Sequence, residues 1–288
     1  MKKFLAMTMA MVAVFGCAAC GGSTDSSDAA STGETTEYAP TDIEYHSVAA
    51  IQERGELKIA TEATFAPYAF KDADGNLVGL EVSLVNQIAK DMGVTCVIDD
   101  MAFDSVLPAV QSGLDDIAFA ALTPTEDRKE SFTFTDSYFS NGQMSLVRAE
   151  DADKFADESA MVAGVTVGAQ KGSYQQTVCE TLYPDCTGRY LETVPAMIMD
   201  LKAGNIDIAI MDNDNAIAYA NQNSDLATAF KVPMLEGDEE SNCAAAMKGN
   251  DDLVTYINGL IAGYIEDGSM QKWYEEAVLI QQSLVEAE

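Results

Sequence analysis

The chain has 288 residues, 48% hydrophobic and 22% charged, the balance of a folded protein long enough for two compact domains. Its 47 acidic residues against 16 basic ones give a formal charge of −31. With no cluster of lysines or arginines, nucleic-acid binding and polybasic attachment to anionic lipid are excluded.

Lys2 and Lys3 precede an apolar run from Phe4 to Phe15 and then "GCAACGG". This is the layout of a secretory signal, too short to span a bilayer. "CAAC" followed by "GGS" resembles a bacterial lipoprotein cleavage site. Residues 1–19 are read as a signal peptide and Cys20 as the lipidated first residue of the mature protein, with Cys17 the weaker candidate. Residues 20–47 then hold the lipidated cysteine and a flexible acidic tether rich in Ser, Thr and Gly. The single histidine, His46, lies beside it. Cys96, Cys179, Cys186 and Cys243 follow, and only Cys179 and Cys186 are close enough in sequence to be paired; the other reading is four small thiols. No CxxC or Cys/His spacing points to a metal.

From about residue 48 strands and helices alternate. "LKIAT" (57–61) reads as a strand. In "EVSLVNQIAKDM" (81–92), Val82, Val85, Ile88, Ala89 and Met92 fall on one helical face. "VTCVI" (94–98) is a strand and "SVLPAVQSG" (105–113) a helix stopped by Gly113. "IAFAAL" (117–122) is a continuously apolar strand, followed at once by Thr123, Thr125 and Arg128. The pattern restarts at "GVTVGA" (164–169), passes through helices near 173–182 and 194–203, and reaches the strand "IDIAIM" (206–211). Tail helices are expected over 252–268 and 270–280. Alternating elements with apolar strands specify an α/β fold with mainly parallel sheets.

One unit occurs twice. Set "VQSGLDDIAFAAL" (110–122) above "LKAGNIDIAIMDN" (201–213): Gly113 meets Gly204, Asp116 meets Asp207, and Ile117-Ala118 meets Ile208-Ala209. Helix, glycine stop, acid and apolar strand repeat, which fits two lobes of like construction. At the strand ends, where open α/β sheets hold ligands, one copy offers Ala121, Thr123 and Arg128 and the other offers Asp212. A guanidinium facing a carboxylate across a gap matches a free amino acid, carboxylate to Arg128 and ammonium to Asp212. Asp212 also stands where it would cap the next helix, and the two roles are compatible.

"LKIATEATFAPYAFKDADGNLVGLEVSLVNQIAKDMG", "FDSVLPAVQSG", "TPTEDRKESFTFTDSYF" and "VGAQKGSYQ" resemble, in that order, the polar amino-acid family of bacterial extracytoplasmic solute-binding proteins, the capture components of ATP-driven importers. The likeness covers roughly residues 50–285. It implies that Arg128 binds the ligand carboxylate, with hydrogen bonds from Thr123 and the backbone at Ala121. It implies further that backbone N–H groups around Ser173, at a helix start, support that carboxylate, and that Asp212 takes the ammonium. Phe65 and Phe103 would sandwich the ligand, while Glu62, Glu81 and Gln170 would read its side chain. In "GLEVS", Leu80 replaces the family's usual aromatic residue and Ser83 its second acid. Ala121 stands where glycine or serine is common.

The resemblance therefore implies a two-lobed periplasmic-binding-protein-like fold of type II. Lobe 1 comprises 48–139 and 236–288, and lobe 2 comprises 142–232, with hinge crossings near 140–142 and 232–235. The expected function is capture of a polar or basic amino acid and delivery to a membrane ABC permease. The protein would be a monomer outside the cytoplasm, held to the membrane only by its lipid, with no cofactor and no metal. Two alternatives share the scaffold: an enzyme of the cyclohexadienyl dehydratase type, and a sensory ligand-binding module. No GxSxG, P-loop or HExxH motif favours catalysis.

Overall fold

The computed structural model describes residues 41–140 and 142–286, with side chains to residue 284. The signal peptide, Cys17, Cys20 and the tether through residue 40 lie outside the described residues.

The first lobe opens with α1 (Val48–Arg54), β1 (Glu56–Thr61) and a small hairpin, β2 (Phe70–Lys71) and β3 (Leu77–Val78). It continues through α2 (Leu80–Met92), β4 (Thr95–Asp100), α3 (Phe103–Gln111), β5 (Ile117–Leu122), α4 (Glu126–Ser131) and β6 (Phe132–Phe134). The second lobe holds β7 (Gln143–Arg148), β8 (Thr166–Gln170), α5 (Tyr174–Leu182), β9 (Thr187–Leu191), α6 (Val194–Lys202), β10 (Ile208–Asp212), α7 (Asn213–Gln222) and β11 (Leu226–Val232). The chain then returns through β12 (Cys243–Met247), α8 (Asp251–Glu266) and α9 (Ser269–Glu286).

Each lobe carries a five-stranded sheet, ordered β4-β1-β5-β12-β6 and β9-β8-β10-β7-β11. The two orders correspond position by position. In each, one strand runs against the rest, β12 in the first and β7 in the second. Both of those are the first strands entered after the chain changes lobe. The sheets are therefore mixed, parallel apart from one strand each.

The duplicated sequence unit occupies equivalent places, since β5 and β10 are the central strands. Its acids do the same work. Asp116 accepts the Lys58 N–H (2.8 Å) while its own N–H donates to the Lys58 carbonyl (3.0 Å). Asp207 accepts the Thr166 N–H (2.8 Å) and donates to the Thr166 carbonyl (2.8 Å). Each aspartate thus ties its strand to the entrance of the neighbouring parallel strand, β1 or β8. Alternation along the central strands feeds two core layers. Ile117 and Phe119 pack with α2, while Ala118, Ala120 and Leu122 pack with α3. Ile208 and Ile210 face α5, and Ala209 and Met211 face α6.

Gly79 lets α2 start where it does. At φ +132, an added Cβ would lie 2.1 Å from the Tyr68 carbonyl oxygen. Only glycine permits that approach.

Three expectations change. The tether does not run through residue 47, because Ile43–His46 form a 3-10 turn and His46 is buried, its Nδ1 hydrogen-bonded to Asp116 (2.6 Å) beside Arg54. The second crossing lies beyond 232–235. Met234 and Leu235 pack on the second lobe's core, and the Leu235 N–H donates to the Tyr174 hydroxyl (2.7 Å). The last helix extends past residue 280. Among the described residues all four cysteines, Cys179 and Cys186 included, are free thiols, no acid/His/Cys cluster has metal-binding geometry, and no helix is long and apolar enough to cross a membrane.

Asp115 is buried at the turn into β5 with Asp99 beside it, and burial, followed by that neighbour, raises its carboxyl above the ordinary range. The folded state therefore holds this proton more tightly than the unfolded chain. Its contribution is complete below the ordinary carboxylate pKa and is lost as pH rises through the folded value. Asp115→Asn should melt at a higher temperature than wild type at pH 8.5, with the gap narrowing as pH falls and closing only near pH 4, the ordinary aspartate range. Thermal melts across that range check it, and parallel curves would refute the buried titration.

Candidate functional site

All ten residues named above line one cavity between the lobes. Glu62, Phe65, Glu81, Phe103, Ala121, Thr123 and Arg128 come from the first lobe, and Gln170, Ser173 and Asp212 from the second. Ala120, Tyr174, Gln175, Val194, Met197, Ile210 and Met211 complete the wall.

Arg128 reaches the cavity because Thr125 caps α4, its hydroxyl accepting the Arg128 N–H (3.3 Å). The guanidinium donates from Nη1 to the Thr123 carbonyl (2.9 Å) and from Nη2 across the cleft to the Gly172 carbonyl (3.2 Å). Two carbonyls orient the fork without neutralising it. Burial pushes its pKa down to about 10, so it remains charged at neutral pH. Gly172 permits the close approach. Its φ is +75, and a Cβ there would come within 3.0 Å of the Asp104 side chain. Beside it, Lys171 Nζ pairs with Asp104 (2.8 Å), a second tie between lobes.

Asp212 occupies the N-cap position of α7 but makes no capping bond. Its Oδ1 accepts instead from the Nε2 groups of Gln175 (2.6 Å) and Gln143 (3.3 Å). The carboxylate is 5% exposed. Burial outweighs those hydrogen bonds and pushes its pKa up to about 7.

Glu81 lies at the start of α2 and is 2% exposed. Its Oε1 accepts from the Ala121 N–H (2.7 Å) and the Tyr138 hydroxyl, leaving Oε2 with no protein partner. Burial pushes it up to about 7 as well. Of the Ala121 backbone groups, the N–H is thus committed inward. Ala121 has φ +48, the left-handed region, which explains why a small residue sits there. Tyr138 stands behind Glu81 and does not line the cavity. Glu62 is raised by burial, partly offset by bonds from Thr64 and Gln170, and its Oε2 has no protein partner.

At the start of α5 two of the N–H groups are already engaged. That of Ser173 donates to the Gln170 carbonyl (3.2 Å), and that of Gly172 to the Gln176 side chain (2.8 Å). The Ser173 hydroxyl caps Gln176 (3.2 Å). Tyr174 and Gln175, the first two helical residues, present N–H groups with no acceptor inside the helix. Gln175 escaped the sequence reading because a polar residue in a first helical turn carries no signal of direction.

An arginine-binding extracellular protein of Bacillus subtilis is 26% identical over 274 residues, spanning 94% of this chain and 96% of that protein. An L-cystine-binding protein of Escherichia coli is 28% identical over 230 residues, 78% of this chain and 84% of that one. The crystal structure of an amino acid ABC transporter substrate-binding protein from Streptococcus pneumoniae, bound to L-arginine, superposes with a TM-score of 0.75 at 32% identity, covering 80% of this chain and 96% of that chain. Residues 57–278 match the model of the bacterial extracellular solute-binding proteins, family 3, and the chain belongs to that family.

Proposed function

We propose that the protein captures a free amino acid with a cationic side chain, arginine foremost, and delivers it to a membrane ABC importer. One observation carries this: Arg128 from one lobe and the buried Asp212 from the other line the same cavity. A zwitterion satisfies both, and only a closed cleft lets one ligand touch both. The carboxylate would lie between Arg128 and the N–H groups opening α5, where the helix dipole favours an anion. The ammonium would take Asp212. Phe65 and Phe103 would hold the aliphatic part.

Charge selects the side chain. The cavity contains Glu62, Glu81 and Asp212 against one guanidinium, so a zwitterion alone leaves two acids unmatched. Glu62 and Glu81 each retain an oxygen without a protein partner, which suits a guanidinium or ammonium group. Arginine-binding relatives and the arginine-bound neighbour support the choice. The same reading takes the protein as an extracytoplasmic monomer, held to the membrane by lipid on Cys20.

Arg128→Ala should weaken every amino-acid ligand alike, by about 3–5 kcal/mol for loss of a buried charge-assisted pair. Calorimetry on ligand-stripped protein decides it, and retained affinity would remove the pocket assignment. Glu62→Gln should cost arginine far more than glutamine; an unchanged rank order would show that Glu62 does not read the side chain.

Asp212 must ionise to accept an ammonium, and its pKa near 7 means that binding at pH 5–6 expels a proton. For an amino acid with an uncharged side chain, affinity should climb up to about tenfold per pH unit below 7 and flatten above it, and a cationic side chain that also ionises Glu81 should steepen the climb. Titrations at pH 6 in buffers of different ionisation heat should register proton release. A flat profile with no released proton would contradict the assignment.

A further inference from the structure

Resting on this amino-acid-receptor reading, we infer that Tyr274 is a latch. Without touching the ligand, this residue of the C-terminal helix fastens the lobes together and sets how fast any ligand leaves. Helix α9 belongs to the first lobe by packing: Met270 is buried in that core, and Trp273 and Tyr274 lie against it. The Tyr274 hydroxyl crosses the seam and donates to Oδ2 of Asp214 (2.7 Å), in the first turn of α7 of the second lobe. Asp214 is two residues from Asp212, so the latch and the ammonium site move as one turn. Next to it, the Asn215 side-chain amide donates to the Ala66 carbonyl of the first lobe.

The tyrosine ring is not free to follow the second lobe. It stacks on Phe139 (4.8 Å, 28°), which meets the edge of Tyr68 (5.8 Å, 79°), which stacks on Phe65 (5.4 Å, 17°). Phe65 lines the cavity. Four rings thus run from the latch to the ligand wall, with Phe139 just before the first lobe crossing. A ring fixed by its neighbours gives up little conformational entropy when its hydroxyl engages. Opening the cleft breaks the hydrogen bond while leaving the stack in place. Burial and the adjacent Asp214 also raise the phenol's pKa well above its ordinary value, so it stays a donor throughout the neutral range.

Tyr274→Phe removes the hydroxyl and keeps the stack. At pH 8.5, where Asp212 is ionised, the full chain carrying it should bind arginine, histidine and cystine roughly tenfold more weakly, the worth of a hydrogen bond to a charged group. The loss should appear as faster release in stopped-flow traces, with the rank order of ligands preserved. In an Asp214→Ala background the same change should add less than about twofold. Unchanged affinity and release, a loss confined to one ligand, or a full effect without Asp214 would each overturn the latch. Wild-type protein that binds none of these ligands would instead sink the receptor reading. The latch would then be judged on ligand-free chains spin-labelled on the two lobes, where Tyr274→Phe must deplete the population at the short, closed-cleft distance and an unchanged population would overturn it.

Discussion

Everything about the cavity follows from one constraint: ionisable groups withdrawn from water must find a partner or change protonation. Three carboxyl groups converge on the cleft, and burial raises the pKa of all three. The protein has not paired them internally. Arg128, the one cation of the cavity wall, spends donors on two backbone carbonyls rather than on a carboxylate. On the proposed reading, the mismatch favours a ligand that brings positive charge. A well-matched internal salt bridge would have stabilised the empty cleft and abolished the reason to bind.

The scaffold that holds these charges is one design used twice. The Gly-acid-strand unit places β5 and β10 at the centres of two sheets with corresponding strand orders. Asp116 and Asp207 each clamp a neighbouring strand through a reciprocal pair of hydrogen bonds. The strand ends therefore present their residues from rigid positions, as a charge-matching site requires. Thr123 follows β5 directly and Asp212 ends β10. The first lobe elaborates the plan by burying His46 against Asp116, so the chain before α1 is recruited into the fold.

What the sequence made legible was governed by how local each signal is. The α/β order and the central strands were readable because apolar runs and glycine stops are properties of short windows. Arg128 and Asp212 were readable because each stands at the end of an apolar strand, where a charge is conspicuous. Edge strands β9 and β11 were not, since half-exposed strands lack an apolar run. Nor was the commitment of the Ala121 N–H to Glu81, forty residues away, which depends on how α2 sits over β5. Gln175 and Gln143, which steady Asp212, belong to elements whose facing is settled only once the sheet is assembled. The burial of His46 and the late second crossing share that cause, being tertiary contacts made by segments with loop-like composition.

The interlobe contacts outside the cavity must also be weak for the protein to work as a receptor. The Lys171–Asp104 pair is half exposed on the lysine side, so water and salt screen it and it holds the lobes together only weakly. A phenol donating to a carboxylate adds on the order of 1.5–3 kcal/mol. Moving a two-state equilibrium from nearly all open to nearly all closed requires about 5.5 kcal/mol. Even with the Asn215 amide bond to Ala66, worth about 0.5–1.5 kcal/mol, these seams fall short of closing the cleft alone, and on the proposed reading the ligand's contacts with Arg128 and Asp212 supply the difference. Seams twice as strong would shut the empty protein against its ligand, whereas none at all would place the whole burden on the pocket and shorten the life of the closed complex. Placing modest contacts on α9 and α7, away from the charged wall, lets residence time be set without altering which side chain the pocket accepts.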